Sequence, residues 1–173
     1  MPKPRVVIIG KLPPPFIGPA IATRIILNSS ITENFELQHV NTTINKTNDS
    51  FGKKGWRKVF ENLRVYSLFY RTLKRQQVDL VHLPISQTTI GFLKDSVFIL
   101  IASFLNTKVL IQLRGGNFKN WIVGTSNIFQ KYLRFCLSKT VGVIVLGENL
   151  RHLFEEYFKH DQIYVVPNGC NIS

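Results

Sequence analysis

Four short segments carry the side chains and backbone best suited to chemistry. Leu113-Arg114-Gly115-Gly116-Asn117 follows a run of Val, Ile and Leu. Its paired glycines let backbone approach a ligand, and Arg114 can hold a phosphate or a hydroxyl; a tight turn with an exposed arginine is the plainer reading. Near the start, KLPPPFIGPA makes Gly18 an N-cap with Pro19 at N1. Such a start turns the next backbone N–H groups toward an anion, or is a helix start and nothing more. His82 closes Asp79-Leu80-Val81-His82-Leu83 and is either a ligand contact or a structural histidine. Glu148 opens a helix, where a carboxylate suits the helix dipole whether or not it touches a substrate.

These segments need a scaffold that gathers them. Apolar, β-branched runs recur at 5–10, 35–40, 78–83, 108–113, 141–146 and 163–167. Four of them lack polar alternation, the pattern of strands covered on both faces. Helical spacing fills 20–30, 56–76, 91–105, 126–139 and 148–158. The alternation predicts one α/β domain over residues 1–173, with a doubly wound, Rossmann-like, mostly parallel sheet of about six strands and helices on both faces. Ligands of such sheets bind at the carboxyl ends of the strands, where Arg114 and His82 fall.

Several chemistries are excluded by what is missing. The first loop has no G-x-G-x-x-G, so an ordinary dinucleotide role is not expected, and there is no P-loop or G-x-S-x-G elbow. Cys136 and Cys170 form no C-x-x-C pair, which argues against a zinc site or disulfide framework and suits a reducing cytoplasm. Cys136 reads as helix packing. No metal and no cofactor is expected.

Lys and Arg number 22 against 10 Asp and Glu, a formal charge of +12, so phosphates, nucleic acid or anionic lipid are natural partners. No RNP, helix-turn-helix or zinc-finger signature supports specific nucleic-acid reading. The apolar run at 97–105 is too short to cross a bilayer. The helix over 56–76 sets Trp56, Val59, Phe60, Leu63, Tyr66, Phe69, Tyr70 and Leu73 on one side, with Arg57, Arg64, Arg71 and Arg75 beside them. The apolar side is expected to be consumed by packing on the sheet, leaving the arginines to an anionic membrane surface or to solvent.

Taken in order, PPPFIGPA after the first strand, DLVHL, LRGG and the closing PNGCN resemble the N-terminal half of GT-B glycosyltransferases, especially the retaining family 4. The resemblance spans the chain. It implies an acceptor-side lobe of an enzyme that moves a sugar from a nucleotide-sugar donor to a glycan or lipid-linked acceptor, as in polysaccharide biosynthesis. The donor domain that follows in the family is absent from this sequence, so the chain alone is expected to be inactive. Carried over residue by residue, the resemblance makes Arg114 catalytic, places Gly18, Pro19, His82, Gly115, Gly116, Asn117 and Glu148 at the substrate, and makes Asn168 and Gly169 the hinge. Two positions depart from the family pattern: Pro19 stands for the second glycine of the first loop, and Arg114 for the usual histidine of an H-G-G turn. The implied enzyme works in the cytoplasm, at the inner membrane face. The alternative is a non-enzymatic basic α/β module that binds nucleic acid or anionic membrane.

Overall fold

The computed structural model describes residues 2–14, 16–43 and 54–167. The chain forms two compact units, Met1–Asp79 and Leu80–Ser173. In the first unit β1 (Arg5–Gly10) leads to α1 (Gly18–Leu27), a 3-10 turn, β2 (Glu36–Asn41) and α2 (Lys54–Arg75). Strands β1 and β2 run parallel, from Arg5 opposite Glu36 to Gly10 opposite Asn41. Val6, Val7, Ile8 and Ile9 are all buried, so β1 is covered on both faces as its unbroken apolar run requires. Its entry is tied by an Arg5 Nε–Glu36 Oε2 ion pair at 2.8 Å and by Arg5 N–H donating to Asp79 Oδ2 at 2.8 Å.

The second unit holds β3 (Leu80–Ile85), α3 (Thr89–Phe104), β4 (Lys108–Leu113), α4 (Phe118–Val123), α5 (Asn127–Leu137), β5 (Gly142–Val145) and β6 (Ile163–Val165). β3 pairs with β4, β4 with β5 and β5 with β6, all parallel. The alternating residues Val81, Leu83, Ile85, Val109, Ile111, Leu113, Val143 and Val145 are all buried. They form the face under the crossover helices α3 and α5, which contribute Phe92, Ile99, Leu133 and Leu137. Local chemistry sets the helix ends. Thr88 accepts from Gly91 N–H at 3.2 Å to start α3, and Ser126 accepts from Phe129 N–H at 3.3 Å to start α5. Asn106, with φ of 54°, turns the chain out of α3 in the left-handed region that Asn tolerates.

Thus the chain has an α/β, Rossmann-like fold with all six expected strands, parallel in every pair described within the units. Three local expectations are corrected. The N-cap of α1 is Ile17, with Gly18 and Pro19 as the first two helical residues, since Gly18 itself adopts helical geometry. The stretch from Glu148 to Phe158 is a 3-10 segment over Glu148–Leu153 followed by turns and not an α-helix. Its bonds are of the tighter kind, Leu150 N to Gly147 O and Phe154 N to Arg151 O, and they swing Phe154 onto Phe118 at 4.6 Å between ring centroids. Besides the three corrections, α4 occupies 118–123, where no element was expected; six residues are too few to show a helical period.

The third correction concerns α2. Phe69 and Leu73 are buried, yet Val59, Phe60 and Leu63 are 48%, 69% and 55% exposed. Phe60 and Phe69 are nine residues apart, which at 3.6 residues per turn puts them on opposite sides of the helix. Length adds to this. The 22 residues of α2 span about 33 Å, whereas a six-residue strand spans about 20 Å, so the helix outruns the strand that it packs on.

Candidate functional site

The polar groups of the second unit converge where β3 and β4 meet. In the β3–β4 register His82 stands beside Leu110 and Pro84 beside Gln112, so His82, Pro84, Leu110 and Gln112 share one face, with Arg114 next in line beyond the strand end. His82 and Gln112 are 7% and 8% exposed, and Arg114 is half-buried. Arg114 Nε donates to Gln112 Oε1 at 2.9 Å, and the Gln112 side chain lies close enough to His82 to favour its charged form. A neutral amide thus stands between an imidazole and a guanidinium.

Electrostatics follow from this burial. The His82 pKa is pushed down to about 4, first because burial disfavours the imidazolium and then because Arg114 repels it; the Gln112 side chain opposes both. His82 is therefore neutral at pH 7. Its Nδ1 is buried without a hydrogen-bond partner among the described residues, as is Gln87 Oε1. Burial also lowers the pKa of Arg114, whose guanidinium remains charged in any ordinary buffer.

The glycine turn fits tightly against the start of α3. A Cβ at position 115 would meet Gln87 Nε2 at 2.5 Å, so a side chain there must displace Gln87. Gly116 is exposed, and a Cβ on it would lie 3.7 Å from Leu150 on the 3-10 segment. Asn117 caps α4, its carbonyl accepting from Trp121 N–H at 3.0 Å and its Oδ1 from Asn120 Nδ2 at 3.1 Å. Of the second unit's expected residues, His82, Arg114 and Gly115 are brought together, with Gly116 and Asn117 completing the turn. Glu148 is exposed and pairs with Arg151 at 2.7 Å.

The first unit places Gly18 and Pro19 in the exposed first turn of α1, where Ala20 N–H and Ile21 N–H donate to Ile17 O. Helix α1 sits close on β1. A Cβ at Gly10 would meet Thr23 Oγ1 at 2.6 Å, and Thr23 Oγ1 donates to Pro19 O at 2.9 Å. Arg64, Arg71 and Arg75 are exposed on α2, and Arg57 lies in its first turns. Asn168 and Gly169 lie outside the described residues.

Sequence reasoning missed Gln112 and Gln87. Gln112 was legible as the one polar side chain inside KVLIQL, two residues before Arg114 and hence on the same face. Nothing in the sequence marked Gln87. No helix among the described residues is long and apolar enough to cross a membrane.

No family model matches this sequence, and no curated protein matches it. Among solved structures, the crystal structure of MurG from Acinetobacter baumannii is similar, with a TM-score of 0.45 and 14% identity over 98% of this chain. The match covers 47% of the MurG chain, so this chain spans about half the length of that protein.

Proposed function

We propose that this chain is the acceptor-side lobe of a GT-B glycosyltransferase of the retaining type. It moves a sugar from a nucleotide-sugar donor to a glycan or lipid-linked acceptor. The observation that carries the reading is the His82–Gln112–Arg114 cluster, which runs from the middle of β3, where His82 stands instead of at the strand end expected for it, to the carboxyl end of β4 and into Gly115-Gly116. The ordered turns PPPFIGPA, DLVHL and LRGG support it from the sequence.

In this reading Gln112 fixes the plane of the Arg114 guanidinium through Nε, and the cation stabilises the negative charge that develops on the leaving diphosphate as the glycosidic bond breaks. Neutral His82 adds no second positive charge and offers a hydrogen-bonding nitrogen beside it. Gly115 and Gly116 let backbone approach the sugar. The donor nucleotide rests mainly on a second Rossmann-like domain, with Asn168 and Gly169 at the hinge. The exposed arginines of α2 favour work at the cytoplasmic face of an anionic membrane, where a lipid-linked acceptor is found.

Calorimetry tests the reading. The chain is titrated with UDP- and GDP-sugars and with acceptors that end in a sugar phosphate. Donors should bind at about 1 mM or weaker, and acceptor binding should drop when Arg114 is changed to Ala. Donor affinity of about 1 μM or tighter, roughly −8 kcal/mol, contradicts the two-lobe reading.

A further inference from the structure

The loop between β3 and α3 holds a side chain whose hydrogen-bonding capacity the protein leaves unused. Ser86-Gln87-Thr88 follows the carboxyl end of β3, and its backbone is fixed on both sides of Gln87. Ser86 N–H donates to Asp95 Oδ2 at 2.7 Å, and Thr88 Oγ1 accepts from Gly91 N–H at 3.2 Å. A Cβ at Gly91 would meet Ser86 Cβ at 2.5 Å, so the loop lies tight on the first turn of α3. The Gln87 side chain reaches the turn that follows β4. Its Nε2 takes the space that a Cβ at Gly115 would need, one residue from Arg114, while its Oε1 is buried with no hydrogen-bond partner among the described residues.

An orphaned amide oxygen is costly. A buried acceptor without a donor forfeits the bond that water gave it in the unfolded chain, whereas a leucine of nearly the same volume carries no such cost. A ligand that brings a donor removes the penalty. The acceptor also decides what the ligand group is. An ionised phosphate has no donor to offer and suits Arg114, whereas a hydroxyl donates, and half-buried Gln87 can turn its amide about a broad terminal torsion to receive it. An acceptor beside a guanidinium therefore reads a hydroxyl beside a phosphate, which is the pattern of a sugar phosphate.

We infer that Gln87 is a specificity-determining residue, which accepts a hydrogen bond from a hydroxyl of the sugar whose phosphate Arg114 holds. The inference rests on the glycosyltransferase reading for its substrate class and adds the residue that selects the sugar.

NMR titration of the whole chain tests it, with inorganic phosphate and the 1-phosphates of glucose, galactose, mannose and N-acetylglucosamine as probes. At least one sugar phosphate should bind about tenfold or more tighter than inorganic phosphate. Gln87→Leu should erase most of that preference and leave the affinity for inorganic phosphate unchanged, whereas Arg114→Ala should weaken both kinds of probe together. Among monodeoxy analogues of the preferred sugar phosphate, one should bind the parent and Gln87→Leu alike, because the partner hydroxyl is gone. Thermal melts should show Gln87→Leu no less stable than the parent, since no hydrogen bond of Oε1 within the protein is lost. Sugar phosphates that depend on Arg114 but ignore Gln87→Leu overturn the inference and leave the glycosyltransferase reading standing. A lack of preference for any sugar phosphate over inorganic phosphate also overturns it. If Arg114→Ala binds every probe as the parent does, the reading falls and the inference with it.

Discussion

Lowering the pH from 7 to 4 should destabilise the protein through His82. The unfolded chain takes up a proton on this imidazole near its ordinary value of 6.5, whereas the folded chain resists until about 4. Between those values the unfolded state binds more protons, so stability falls with falling pH and levels off for this group below the folded pKa. At 1.36 kcal/mol per unit, the contribution lost is about 2 kcal/mol by pH 5 and about 3 kcal/mol by pH 4. His82→Gln removes the titration but keeps a polar side chain beside Gln112. Urea unfolding of both proteins at several pH values isolates the effect, because carboxylates and the partly buried His39 titrate alike in each and cancel in the difference. The wild type should lose about 3 kcal/mol more than the variant between pH 7 and pH 4. Imidazole NMR signals should place the His82 titration well below the ordinary 6.5. In Arg114→Met its pKa should rise only part of the way to 6.5, since burial is the larger cause and survives the change. A flat difference curve, or a His82 signal that titrates near 6.5, refutes the reasoning.

Two further outcomes are expected. Gly142→Ala should destabilise the fold by about 1–3 kcal/mol in thermal or urea unfolding, because its Cβ would meet the backbone carbonyl of Gln162 at 2.5 Å and a backbone atom cannot rotate away. Arg114→Ala removes, among its contacts, the hydrogen bond to buried Gln112 and should cost about 1–3 kcal/mol of stability, and on the proposed reading it should lower turnover of the two-lobed enzyme by about tenfold or more; steady-state kinetics and melts of one preparation separate the two effects, and unchanged turnover returns Arg114 to a turn residue.

The strands were legible because their signal is local. Unbroken runs such as RVVIIG and KVLIQL are what two-sided burial demands of neighbouring residues, and β1 and β4 fall within the ranges those runs mark. The glycine pair after β4 and the histidine on β3 could likewise be placed on a face by counting in twos. Periodicity could not rank the faces of α2, where apolar residues lie all round the helix. Only packing shows that Phe69 and Leu73 are taken up while Phe60 and Leu63 are left outside, because burial depends on what stands opposite and how far it extends. The same holds for the segment from Glu148. Its spacing suits an α-helix, but the chain takes 3-10 turns that seat Phe154 against the ring of Phe118. The state of His82 was likewise beyond the sequence. A histidine pKa near 4 needs burial together with a guanidinium brought close by strand pairing, and both are properties of distance in space, which residue order does not contain.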